Sequence, residues 1–188
     1  MAVWKFDPAH TTISFSARHM MVTTVRGNFA PPSGTLVFDQ ANPAASSVEA
    51  EIDTTTLVSG VTDRDNHLRS ADFLDTANFP TITFKSTKVE VTGDDSANIS
   101  GDLTIRGVTH PVVLKTEFLG VVNSPFGDKR AGFTASTKIN REDYGLNWNV
   151  AIEAGGVLVG KEIKIELDVE AIYVAETEAE AAAQAANA

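Results

Sequence analysis

The chain has no cysteine among its 188 residues. That excludes disulfides, thiolate nucleophiles and every metal site built on sulfur. Positive charge is scarce: 15 Lys and Arg stand against 25 Asp and Glu, for a formal net charge of −10. Phosphate backbones demand a basic stripe, so nucleic acid is not expected as a partner, and broad docking on anionic lipid is disfavoured for the same reason. No apolar run reaches the ~18 residues of a spanning helix, so stable membrane insertion is not expected. The first residues, MAVWKFDPAH, show no apolar core followed by a cleavage site, and the expected compartment is the cytoplasm. The signatures G-x-S-x-G, P-loop and G-x-G-x-x-G are missing as well. Gly155, Gly156 and Gly160 precede no helical pattern and read as the turn before a strand.

What the chain does have is alternation. Apolar and polar residues take turns along most of its length, the period of a half-buried β-strand. One face of the Thr11–His19 stretch carries Ile13, Phe15, Ala17 and His19. The same reasoning points Phe29, Leu36, Phe38, Ile52, Ile82, Phe84, Leu103, Ile105, Leu114, Phe133, Ala135, Ile165 and Leu167 inward from their strands. The cleanest run is Lys161–Tyr173, with acids and lysines on the wet face. Eight to ten such strands sharing one apolar interior predict an all-β antiparallel domain over 1–174. Residues 175–188 form a low-complexity Ala/Glu tail. A closed up-and-down barrel satisfies the pattern because closure removes sheet edges, although a two-sheet sandwich alternates similarly. Small inward residues (Ala17, Ala50, Gly101, Ala135) favour a hollow barrel, since they leave room for a ligand. The alternative is a filled β-domain that acts through protein contacts under stress.

One internal stretch breaks the alternation. Thr62–Phe84 opens with an N-cap-like Thr62 answered by Asp65, and runs at helical spacing until Asn78-Phe79-Pro80 stops it. His67, Leu68 and Phe73 are its candidates for the interior, with Trp148 from the irregular stretch 140–149. Asp63, Asp65 and His67 form D-x-D-x-H, but alternate helical positions point apart, so no metal site is expected. No catalytic residue and no cofactor are expected either. Arginines Arg18, Arg26, Arg64, Arg69, Arg106 and Arg141 fall near strand ends or on the helix. The first four are candidates for a polar or anionic head group, which the planar guanidinium suits. His19 and His67 are the residues an enzyme acting on a bound ligand would use for acid–base chemistry.

Several runs resemble the YceI-like family: Asp7-Pro8-Ala9-His10-Thr11, Arg18-His19-Met20, Val25-Arg26-Gly27, Arg64 through Asp75, Asn78-Phe79-Pro80, Gly101 through Thr109, Asn140 through Trp148, and Leu158-Val159-Gly160. The resemblance implies a lipocalin-like antiparallel β-barrel with one short helix at its wall or mouth. It also implies non-enzymatic binding of a polyisoprenoid or isoprenoid quinone in an elongated cavity, for transport, storage or sensing. Some members are dimers, so a homodimer is one expectation. The family supplies no catalytic residues to transfer, and the ligand contacts named above come from strand alternation alone.

Overall fold

The computed structural model describes residues 1–153 and 155–175; the expected tail lies, from residue 176 on, outside the described residues. Ten strands follow in chain order: β1 (Ala2–Phe6), β2 (Thr12–His19), β3 (Thr23–Phe29), β4 (Ser33–Phe38), β5 (Ser47–Asp53), β6 (Thr81–Val91), β7 (Ser96–Ile105), β8 (Val108–Asn123), β9 (Lys129–Asn140) and β10 (Val159–Ala175). The one α-helix among the described residues, α1, spans Thr62–Arg69. All neighbouring strands pair antiparallel, and β1 pairs with both β4 and β10. Eight strands (β1, β4 to β10) thus close a ring, and the hairpin β2–β3 continues from it along β10.

This arrangement follows from two interrupted courses. β10 is long enough to carry two partners on one flank: β2 along Val159–Asp168 and β1 along Ala171–Ala175. Between β1 and β2 the chain kinks at Asp7–Thr11. The kink is tied to β10 by the Asp7 amide on the Glu170 carbonyl (2.8 Å) and by the Thr11 hydroxyl on the same carbonyl (3.0 Å). Likewise β3 and β4 are separated by Ala30-Pro31-Pro32, where proline removes ladder donors. β4 continues to β5, but β3 does not; among the described residues its outer edge bridges to Val58, through a two-way Asn28–Val58 pair. The 54–80 connection therefore occupies that open side of the wall, and it carries α1.

Turn chemistry fixes the registers. β7 and β8 are joined by Arg106-Gly107, both with positive φ (50° and 73°), as the tight two-residue hairpin turn requires. A side chain at Gly107 would also press on the Phe79 ring. The helix is shorter than the sequence pattern suggests. Ser70 leaves helical geometry, and its amide and hydroxyl both bond the His67 carbonyl (3.1 and 2.7 Å), ending α1 before Asp72–Leu74. The expected Thr62 cap is also displaced. Val61 holds the cap position without a side-chain bond, and Asp65 turns back to Ser59 instead.

One end of the barrel is packed with aromatics. Trp4 stands edge-on to Tyr173 (5.5 Å between centroids) and Phe38 (6.4 Å), and Phe38 meets Phe118 and Phe133 at 5.1 and 5.2 Å. The Lys129 ammonium lies 5.7 Å from the Tyr173 ring, a cation held against π-electron density. The other end holds α1, the 3-10 turn Arg141–Tyr144 and residues 145–153 and 155–158.

Candidate functional site

The interior is hollow. A chamber of about 810 Å³ runs inside the wall, toward the upper end of the ~300–1,000 Å³ usual for small-molecule pockets. The strands line it with the residues their alternation turned inward: Ile13, Phe15, Ala17, His19, Phe29, Leu36, Phe38, Ile52, Ile82, Phe84, Leu103, Ile105, Leu114, Phe133, Ala135, Ile165 and Leu167. From the wall segment and the late loop come His67, Leu68, Phe73 and Trp148. Of the arginines proposed for a head group, Arg18 and Arg64 line the chamber and Arg26 and Arg69 do not. Arg26 lies on the outer face of β3, between the inward positions Val25 and Gly27, and is exposed. Arg69 donates from Nη2 to the Leu57 carbonyl, which ties the helix to the preceding segment.

One small residue behaves differently from the rest. Ala17, Ala50 and Ala135 line the chamber, whereas Gly101 does not. The Phe84 ring fills the space a side chain would take there, 2.4 Å from where a Cβ would sit. Gly101 therefore makes room for a core aromatic, not for a ligand. Phe79 packs over the β7–β8 turn.

Exposed lining residues mark two places where the chamber reaches the surface. Beside α1 they are Arg18 and Asp63, with Arg64 and His67 half-buried next to them. Arg64 is aimed by Ser59, donating from Nε to its hydroxyl and from Nη2 to its carbonyl, both at 2.7 Å. Ser59 in turn donates its amide (2.8 Å) and its hydroxyl to Asp65. The Ser59 hydroxyl bond first, then the Ser59 amide and the Arg69 and Arg64 charges, hold the Asp65 carboxyl below its usual range against the effect of burial. His67 donates to Asp72 (2.9 Å) and stands edge-on to Trp148 and Phe73, at 4.5 and 5.0 Å. The second place lies at the β6–β7 turn, where Gly93, Asp94 and Asp95 line the chamber. One opening is thus cation-bearing and the other acidic.

Alternation along strands was silent on Arg141 and Tyr144, which sit on the 3-10 turn after β9 and also line the chamber. Both are only 2% exposed. Arg141 donates to three backbone carbonyls: Gly160 from Nε (2.9 Å), Leu146 from Nη1 and Val159 from Nη2 (3.3 Å). It thereby latches the turn to the start of β10, with its guanidinium 5.9 Å from the Phe73 ring. Burial pulls its pKa down, but guanidinium stays charged in proteins. Burial pushes the Tyr144 phenol up to about 12, helped by Asp143. The run from Asn140 to Trp148 had stood out by resemblance, but nothing in its spacing shows that these two side chains face inward.

Three further groups converge outside the chamber. Asp7, His10 and Glu170 bring their ligand atoms within 4.8 Å of one another. Arg130 already occupies the middle, donating from Nη1 to Asp7 (2.7 Å) and to Glu170, and from Nη2 to Asp128 (2.9 Å). With a guanidinium between the carboxylates, the cluster is an ion-pair knot over the β1–β2 kink.

A closed antiparallel barrel around an apolar chamber, walled on one side by a short helix, is a barrel of lipocalin-like architecture. A YceI-like domain profile matches residues 4–171, and the chain belongs to that family. It is 44% identical over 137 residues to Protein YceI of Escherichia coli (strain CFT073), covering 73% of this chain and 71% of that one. Among solved structures, the Campylobacter jejuni YCEI protein superposes with a TM-score of 0.71 at 29% identity, over 82% of this chain and 88% of that one. A polyisoprenoid-binding domain from Saccharophagus degradans shares the fold, with a TM-score of 0.65 at 15% identity over 92% of this chain and 99% of that one.

Proposed function

We propose that the protein is a non-enzymatic binder of a long apolar lipid, a polyisoprenoid or an isoprenoid quinone, that it carries or stores. The observation that carries this reading is the chamber itself: about 810 Å³, continuous inside the wall and lined mainly by Ile, Leu, Val and Phe. Apolar surface removed from water contributes about 25 cal/mol per Å², so affinity grows with the length of chain taken in. The polyisoprenoid-binding domain of the same fold supports the ligand class. The polar end of the lipid belongs at the α1 side, where Arg18, Arg64 and His67 line the opening. The acids at the β6–β7 turn disfavour an electron-rich head there.

The test is solvent extraction of the purified protein followed by mass spectrometry. A prenyl series spaced by isoprene units is expected. An empty extract from folded protein, with no uptake of added prenyl lipid, would remove the reading. Turnover of a prenyl diphosphate that vanished in His19→Ala or His67→Ala would overturn its non-enzymatic part.

A further inference from the structure

The β2–β3 hairpin breaks the charge pattern of the rest of the chain. Residues 8–38 contain none of the 25 Asp and Glu, in a protein whose formal net charge is −10. Their permanent charges are Arg18 and Arg26. The two lie on the outward face of the hairpin, Arg18 opposite Thr24 and Arg26 opposite Ser16, and are diagonal neighbours across the strands. Neither meets a carboxylate among the described residues; Arg18 reaches the Thr24 hydroxyl at 3.4 Å.

The tip between these strands is apolar and turned to solvent. Met20, Met21 and Val22 follow one another there, 43%, 65% and 80% exposed. Met20 and Met21 have φ of 50° and 62°, and the Val22 amide bonds the His19 carbonyl (3.2 Å). This is the two-residue hairpin turn that favours Asn and Gly. Two methionines thus hold a left-handed backbone that strains an L-residue, and their side chains add little to the core. The tip leans on a neighbour. The Met20 amide bonds the Leu158 carbonyl (2.8 Å), and the Leu158 amide bonds the Val150 carbonyl (2.9 Å). The Met21 sulfur sits 2.6 Å from where a Cβ on Gly156 would be. Val150, itself exposed, extends the apolar surface. The patch borders the α1-side opening, since Arg18, His19 and Leu158 all line the chamber and flank Met20.

An apolar turn with a basic collar complements a phospholipid surface. Methionine and valine suit the boundary between headgroups and acyl chains, and guanidinium forks suit the phosphates. Exposed Glu153 and Asp63 on the neighbouring elements keep the attraction modest. Repulsion from the acidic remainder of the barrel is screened beyond about 8 Å at physiological salt, so docking is confined to this one edge. A protein partner fits less well, because a stable interface uses about 20–30 residues a side and this is a turn with few side chains.

We propose that the β2–β3 tip, with Val150 beside it, docks reversibly on a phospholipid bilayer and sets the α1-side opening against the membrane. The chamber mouth then lies at headgroup depth without any spanning segment.

The test is cosedimentation of the full chain with vesicles of phosphatidylcholine containing about one third phosphatidylglycerol. Wild type is expected to partition with a constant on the order of 10⁴ M⁻¹, the strength of one acyl anchor, and more weakly at high salt. The double variant Met20→Asn/Met21→Gly supplies the residues the turn favours. It should melt no lower than wild type and lose binding by about tenfold or more. Arg26→Gln, away from the chamber lining, should weaken binding about fivefold. Phe126→Ser is the control: Phe126 is 89% exposed but belongs to the β8–β9 turn, so binding should not change. No binding by wild type, equal binding by the turn variant, or an equal loss in Phe126→Ser overturns the assignment. So does dimerisation of wild type without vesicles that the turn variant abolishes, since the tip is then a contact between copies. Docking of the tip does not depend on what fills the chamber, which solvent extraction reads separately.

Discussion

The two ends of the barrel are built on different physical terms. At the β1 end, Trp4, Phe38, Phe118, Phe133 and Tyr173 pack face and edge against one another, and Ala131 and Ala171 below them are essentially fully buried. That region is held by buried apolar area, and the chamber reaches the surface beside it at the β6–β7 turn, where the Phe118 amide bonds the Asp95 carbonyl. At the α1 end Leu57, Phe73, Leu74 and Tyr144 are buried as well, but the segment around the helix is tied down by single hydrogen bonds: Ser59 to Asp65, Arg69 to Leu57, Ser70 to His67, Arg141 to the start of β10. The contrast separates stability from access. Dense aromatic packing resists opening, whereas a wall of local polar bonds can open without unfolding the sheet.

The largest effect should fall on the aromatic end. Trp4→Ala is expected to lower unfolding free energy by about 3–5 kcal/mol in urea titration, the usual range for removing a large buried aromatic. A loss of under about 1 kcal/mol would mean that the packed end is not where stability resides. Next comes Ala135→Phe, placed in the chamber wall. Overpacking should remove about 1–3 kcal/mol of stability and displace the extractable lipid altogether. A folded variant that keeps its full complement of lipid would show that the ligand does not lie along β9.

A third variant probes the knot over the β1–β2 kink. The Asp7 carboxyl is held below its usual range, first by the His10 hydrogen bond, then by the Ala9 amide. Its contribution is present above the ordinary value of 3.8 and fades as pH falls through the lowered folded value. His10 is raised, first by its bond to Asp7 and then by Glu170. Its contribution is present below 6.5 and fades as pH rises through the raised value. Wild type should thus be most stable between these limits. Asp7→Asn should remove about 1–3 kcal/mol at neutral pH and flatten both flanks in melting curves recorded against pH. An unchanged pH profile would show that the knot does not govern the kink. The smallest global effect is expected from Ser59→Ala, below about 1 kcal/mol, since it removes only local bonds. Its signature is faster lipid exchange and reduced hydrogen-exchange protection confined to residues 57–70. Slower or unchanged exchange would erase the distinction between the two ends.

Much of this was legible in the residues because a strand has a period of two. Once a segment is known to be half-buried, Phe15, Leu103, Phe133 and Ile165 must point inward, and all four line the chamber. The same rule already places Arg26 outside, between Val25 and Gly27, although arginine chemistry had made it attractive as a head-group contact. The rule fails where local geometry changes. Arg141 and Tyr144 leave β9 for a 3-10 turn, and no two-residue period reaches them. Gly101 shows another limit, because a small residue marks a space but does not say whether a neighbour or a ligand fills it. Helix length was misread because Asp72–Leu74 keep a helix-compatible pattern after Ser70 has bonded back to His67. Nothing local in the sequence predicts that Asp7, Arg130 and Glu170, so far apart in the chain, meet at one kink.

The double partnership of β10 bears on how the barrel comes into being. Residues near position 3 pair with residues near 175, about the widest separation the described chain allows. Rings closed by such non-local pairing form slowly, since loop entropy is lost before the contact is gained. On the ribosome the first strands emerge long before β10, with the faces of β2, β3 and β9 that later line the chamber still unroofed. Only when the last described strand has been made can the chamber close, so the interior takes shape in one late step, when β10 joins β1 and β2.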